Sequence, residues 1–167
     1  MWTIAIEPLT RDAFAPFCCV VAADGADPIQ INQGFAERFD TSAGIDVLSQ
    51  GGAVNVSLFT ANPRPLPVAI ALMERHPLGS QLFFPLQDRP WLVVVCADPR
   101  VASSFRAFAA TGRQGVNYAR DTWHHPLLVH DRDSRFLVVD RRGTGQNLEE
   151  MRLGDNPLVL SPLVPSS

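Results

Sequence analysis

Apolar and polar residues alternate with period two in four segments of the chain. These are Trp2-Thr3-Ile4-Ala5-Ile6, Val54-Asn55-Val56-Ser57-Leu58, Val68-Ala69-Ile70-Ala71-Leu72 and Phe136-Leu137-Val138-Val139-Asp140. Successive side chains of a strand point to opposite faces, so each segment predicts a strand, several of them half buried. Turn formers separate them: Asp24-Gly25, Gly51-Gly52, Asn62-Pro63, Leu78-Gly79-Ser80, Asp88-Arg89-Pro90, Asp98-Pro99 and Arg142-Gly143-Thr144-Gly145. Short strands closely spaced by turns predict a sandwich or a barrel. Helical signal is confined to residues 10–14, where Thr10 is placed to cap a short helix, and to residues 35–39. The fold class is therefore mostly β with one or two short helices. Residues 157–167 carry three prolines, which forbid helix and sheet interior and predict an extended C-terminal tail that straps onto the domain or a partner subunit, or frays.

Length and charge narrow the function. The 167 residues suit a single domain, 1–167, able to bury a proper core. All 14 basic residues are arginine, and the net charge is -3 with an isoelectric point near 5.7. A phosphate-backbone binder normally carries a basic face, so nucleic acid is not an expected partner. Without lysine there is no Schiff base and no P-loop, and carboxylate recognition falls to arginine, whose planar fork suits it. Three cysteines, Cys18, Cys19 and Cys96, do not make a disulfide framework, which points to a reducing compartment. The longest apolar run, residues 91–97, falls far short of the roughly 20 a membrane helix needs. With no basic leader at the start, the cytoplasm is the expected location and no membrane partner is expected.

Three of the four histidines lie in two dense clusters, Glu74-Arg75-His76-Pro77-Leu78-Gly79-Ser80-Gln81 and Thr122-Trp123-His124-His125-Pro126. Residues two apart on a strand share a face, so Glu74 and His76 stand side by side and Arg75 points away. Gln81, after the turn, returns toward the same interior. Such a layout suits a metal or a general acid and base inside a small barrel, with Glu74, His76, Gln81 and His124 as ligands. His124 and His125 face opposite sides, so only one looks inward. The spacing resembles the cupin superfamily, a double-stranded β-helix or jelly-roll barrel, with Glu74 in place of the first histidine and Gln81 in place of the usual glutamate. Asp121-Thr122-Trp123-His124 resembles the second cupin motif, and the separation, 124 - 76 = 48, suits the two halves of the barrel. That spacing selects His124, leaving His125 for the surface or a dimer interface.

Longer strings are more specific. Ile31-Asn32-Gln33-Gly34 with Arg38, the string from Glu74 to Gln81, Gly115-Val116-Asn117-Tyr118, Trp123-His124-His125-Pro126-Leu127 and Phe136-Leu137-Val138-Val139-Asp140-Arg141 resemble the ureidoglycolate lyase family. The resemblance spans about Ile4 to Glu149. It departs from the family pattern at Cys18-Cys19, where Gly-Asp is usual, and at Leu148, where a cysteine often stands. It implies an enzyme of allantoin and purine catabolism that splits ureidoglycolate into glyoxylate and urea, a homodimer, and a divalent metal with nickel as first candidate. No organic cofactor is implied.

The substrate carries a carboxylate, a hydroxyl and a ureido nitrogen on one carbon. Its collapse needs an acceptor for the hydroxyl proton, a donor for the departing nitrogen and a cationic clamp. His76, His124 and Glu74 are the candidate catalytic residues. Arg38, Asn32, Asn117 and Tyr118 are the candidate substrate-binding residues, with a solvated Arg38 and a merely packed Tyr118 as the plainer readings. Asp140, Arg141, Asn147 and Glu149 read as a turn and its ion pairs. The competing function is a non-catalytic cupin that binds a small carboxylate, although no output domain accompanies the fold.

Overall fold

The computed structural model describes residues 2–154 and 158–160. Two sheets face each other. One is antiparallel, in the order Cys18–Val21, Gly115–Tyr118, Gln81–Pro85, Ser134–Arg142, Ala53–Ala61. The other runs Glu149–Arg152, Leu72–Arg75, Trp123–His124, Trp91–Cys96, Phe105–Ala110, Ile6–Pro8, with Leu128–Val129 also paired to Trp91–Cys96. Between them lies the main core. Val20, Phe83, Val116, Tyr118, Phe136 and Val138 of the first sheet meet Trp91, Val93, Val95 and Phe108 of the second. Phe14 and Phe17 close one end of this core. The architecture is mostly β and cupin-like.

A smaller sheet of Thr3–Ile4, Leu158–Leu160 and Ala69–Ile70 adds a third layer. Ile4, Ile70 and Leu160 pack with Leu92, Val94 and Cys96, the alternate side chains of Trp91–Cys96. Every residue of that strand is buried, which explains why its sequence is a continuous apolar run instead of an alternation. Of the predicted tail, residues 158–160 form this strand, while residue 157 and residues 161–167 lie outside the described residues.

Each of the four alternating segments contributes a strand, the first and third being split in two. Thr10 caps the helix Arg11–Phe14, its Oγ1 accepting from the Ala13 N–H at 3.2 Å. The helix expected at 35–39 is absent. A 3-10 turn, Asn32–Gly34, with positive φ at all three residues, reverses the chain, and Ala36–Arg38 returns as a strand beside Ile29–Ile31.

Candidate active site

Register builds the site. Val95 pairs with His124, and His124 pairs with Glu74, so the three side chains form one row across the sheet. Val95 belongs to the main core, so the whole row faces inward. On the opposing sheet Gln81 pairs with Tyr118, whose ring also lies in that core. Tyr118 stacks on His124 with centroids 4.2 Å apart and planes inclined by 10°. Glu74 and His124 thus come from one sheet, Gln81 and Tyr118 from the other, and His76 from the turn that joins them.

Hydrogen bonds fix the ring tautomers. The His76 Nδ1 lies 2.8 Å from the Asn147 carbonyl, and the His124 Nδ1 lies 2.8 Å from the Thr122 carbonyl. A carbonyl only accepts, so both Nδ1 atoms donate and the lone pair of each neutral ring sits on Nε2. The Gln81 Nε2 donates to Asp140 Oδ2 at 3.3 Å, which turns Oε1 toward His76 Nε2 at 3.1 Å. Asp140 is held in turn by Asn55 Nδ2 at 2.9 Å. Two acceptors that face each other at this distance require a proton or a cation between them.

His124 Nε2 is buried and has no hydrogen-bond partner, and the Glu74 Oε1 stands 3.5 Å away. One ligand atom each from Glu74, His76 and His124 lies within 4.8 Å of the other two. An orphaned imidazole lone pair beside a carboxylate is costly unless something is bound there. The donor set of two imidazole nitrogens with carboxylate and amide oxygens fits a divalent transition metal. Outer partners on both rings are the usual support for such ligands. Burial opposes ionisation of Glu74, but the His124 ring when protonated, with smaller contributions from charge on His76 and His125, outweighs it and holds the carboxyl below its ordinary value. Burial, reinforced by the Glu74 charge, pushes the Tyr118 phenol up, so it stays a neutral donor.

The other expected residues are not gathered here. Arg38 and Asn32 lie on the hairpin arm, where Arg38 Nε pairs with Asp40 Oδ1 at 3.0 Å. No hydrogen bond or ion pair among the described residues joins them to the four-residue cluster. Asn117 is buried, but alternation turns it to the opposite face from Tyr118, where its Nδ2 donates to the Gly44 carbonyl at 2.9 Å. His125 is not a surface residue. It is 4% exposed, and burial pushes it down to about 4 against the Pro126 carbonyl it bonds, so the ring is neutral at neutral pH. Arg75 points away from Glu74 as expected, toward Glu149 and the Trp123 ring.

Sequence reasoning set Asp140 and Asn147 aside as turn residues, yet they orient Gln81 and His76. The Asn147 Oδ1 also accepts from the Leu78 N–H at 2.8 Å, which ties the Pro77 turn to the 142–147 loop. Their signals in the sequence were proximity to a glycine-rich turn and the family resemblance, neither of which distinguishes this role.

Comparison with known proteins supplies the family. Residues 1–160 match the family model described as ureidoglycolate lyase. The chain is 52% identical over 157 residues to the ureidoglycolate lyase of Burkholderia mallei (strain NCTC 10229), covering 93% of this chain and 92% of the relative. It is 49% identical over 160 residues to ureidoglycolate lyase 1 of Rhizobium meliloti (strain 1021), covering 95% and 94%. It is 46% identical over 165 residues to the ureidoglycolate lyase of Pseudomonas syringae pv. tomato, covering 97% of each. With the inward row of Glu74 and His124 and the matching length of its relatives, the chain belongs to the ureidoglycolate lyase family.

Proposed function

We propose that the chain is a ureidoglycolate lyase, cleaving ureidoglycolate to glyoxylate and urea in allantoin breakdown. The observation that carries this reading is the convergence of Glu74, His76, Gln81 and His124 on one point, with His124 Nε2 buried and unpartnered, in a member of this family. A divalent ion held by these four residues, nickel being the first to test, would polarise the substrate hydroxyl and lower its pKa. Glu74, ionised at neutral pH, accepts the hydroxyl proton on Oε1 and returns it to the departing ureido nitrogen. Tyr118 holds the His124 ring in place by stacking. None of the four gathered residues is a serine, threonine or cysteine nucleophile, and with the family match the expected reaction is elimination. Purified enzyme should release urea in step with glyoxylate, with no ammonia. Stoichiometric ammonia from fresh enzyme overturns this reading, and no turnover at all revives the non-catalytic carboxylate-binding cupin.

The carboxylate clamp is proposed to be Arg38 on the family resemblance alone, since no contact among the described residues joins it to the cluster. Its partner Asp40 is 65% exposed at the side chain, so a substrate carboxylate displaces it without stranding a buried charge. Arg38→Ala should raise KM by roughly tenfold or more at nearly constant kcat, since a charge-assisted hydrogen bond contributes about 1.5 to 3 kcal/mol. An unchanged KM in steady-state kinetics would move the clamp elsewhere.

A homodimer is the proposed assembly. Val54, Val56 and Leu58 form an exposed apolar stripe, Leu58 at 70%, on Ala53–Ala61, which is an edge strand of its sheet. Such edges invite self-complementary pairing. No helix among the described residues is long and apolar enough to cross a membrane. The cytoplasm is the proposed compartment, supported by three free cysteines.

A further inference from the structure

Consecutive residues of a strand send their side chains to opposite faces, so the thiols of adjacent cysteines ordinarily point apart. Cys18 and Cys19, the first two residues of Cys18–Val21, do not. Their Sγ atoms lie 3.4 Å from each other, close enough for one thiol to donate to the other. The cause is the backbone of Cys18, at φ 130 and ψ -101, a strained region that favours glycine. Both residues are half-buried in the end strand of the five-stranded sheet, within reach of a small solute. The Asn117 Nδ2 approaches Cys18 Sγ at 3.8 Å. Nothing in the proposed lyase reaction uses this pair.

We propose that Cys18 and Cys19 form a reversible thiol-oxidation site, a vicinal dithiol that a low-molecular-weight disulfide converts to an intramolecular disulfide. The Cys18 thiolate attacks one sulfur of glutathione disulfide and displaces a glutathione thiolate. Cys19, giving its proton to solvent, then attacks the Cys18 sulfur and displaces the second glutathione thiolate. Two electrons pass from the protein sulfurs to the small disulfide, which becomes two thiols by taking up two protons. The first attack is assigned to Cys18, whose Sγ the Asn117 Nδ2 approaches as a donor, while burial and the neighbouring Cys18 push the Cys19 thiol up to about 12.

Geometry sets how long the bond lasts. A disulfide needs sulfurs about 2.0 Å apart, so the pair must close by about 1.4 Å. Adjacent Cα atoms are about 3.8 Å apart, shorter than the roughly 4.4 to 6.8 Å that relaxed disulfides span. The product is strained, and strained disulfides are the readily reduced ones. The site is accordingly a labile mark and not a structural staple. Cys96 takes no part, because it is buried in the separate outer core and burial pushes its thiol up to about 12. In the register Cys18 lies opposite Tyr118, so the modification borders the strand carrying the ring stacked on His124.

The test is incubation of the full chain with glutathione disulfide at mildly alkaline pH, followed by intact mass, thiol titration and peptide mapping. The expected result is loss of two thiols, a mass lower by two hydrogens with no glutathione retained, a bond mapped between Cys18 and Cys19, and reversal by dithiothreitol. Cys18→Gly, which suits the positive φ, should fold, form no disulfide and hold at most one glutathione on Cys19. A persistent mixed disulfide in the wild type, three thiols that stay free, or a bond involving Cys96 would each overturn the proposal.

Discussion

Replacing His124 by glutamine is expected to lower ureidoglycolate turnover by roughly a hundredfold or more, the scale of losing a metal ligand or an acid-base group. The same factor is expected for His76→Ala. Both rings present Nε2 to one point with Nδ1 already committed to a backbone carbonyl, so neither has a substitute within reach. A second readout separates lost chemistry from lost metal. Tyr118 is the sole tyrosine of the chain, so 3-fluorotyrosine labelling gives a single fluorine resonance next to the His124 ring. Adding nickel to chelator-treated wild type should shift that resonance, and adding it to His124→Gln should not. If chelated protein with well under one equivalent of metal keeps full activity, the four residues serve proton transfer and hydrogen bonding instead. His125→Ala should leave the turnover of folded molecules near wild type while lowering stability. A crippled His125→Ala beside a mild His124→Gln would show that the inward face has been assigned to the wrong residue.

Arg141→Met is expected to destabilise the protein on the order of 3 kcal/mol. Arg141 is 7% exposed, and among the described residues no carboxylate pairs with it. It donates from Nε and Nη2 to the Ser49 carbonyl, at 3.0 and 2.8 Å, and from Nη2 to the Thr144 carbonyl at 2.8 Å. Methionine fills the volume but leaves these oxygens without a donor. The surroundings are close-packed around the charge: a Cβ at Gly52 would collide with the Val47 carbonyl and with the Arg141 side chain. Arg141 thereby pins the 49–52 turn to the 142–147 loop, and that loop delivers the Asn147 carbonyl to His76. Urea denaturation should report the stability loss through a lower midpoint, and turnover measured well below the transition should fall as well. A change within about 0.5 kcal/mol, the range of ordinary surface substitutions, would mean that the loops hold without it.

The strands were legible because alternation is local and a sheet with one buried face enforces it. Glu74 and His76 were grouped by their spacing of two, although His76 proves to lie in the turn just after the strand, and His124 was singled out by the resemblance of its motif. Residues 35–39 were misread as a helix because five residues do not separate a period of 3.6 from a period of 2. The deciding feature was the run of positive φ at Asn32, Gln33 and Gly34. His125 was expected on the surface because outward normally means wet. Here a third layer covers much of the outer face of its sheet. Asn147 was set aside as a turn residue because it holds His76 through a backbone carbonyl, which any residue type possesses. Asp140 acts on Gln81 across a pairing of strands 59 positions apart, and no local pattern encodes it.

The parallel pairing of Thr3 and Ile4 with Val159 and Leu160 has a consequence for synthesis on the ribosome. Residues 3–4 wait for a partner that is translated 156 positions later, 159 - 3 = 156. Until that partner emerges, the outer side of Trp91–Cys96, with Leu92, Val94 and Cys96, lacks part of its apolar cover. Partly made chains therefore present a sticky sheet face, the kind of surface that folding helpers shield and that drives nascent chains together. The pairing is also a loop closure of high sequence separation, which forms slowly. Yield in a cell should thus depend on how quickly residues 158–160 are translated and docked, even where the finished protein is robust.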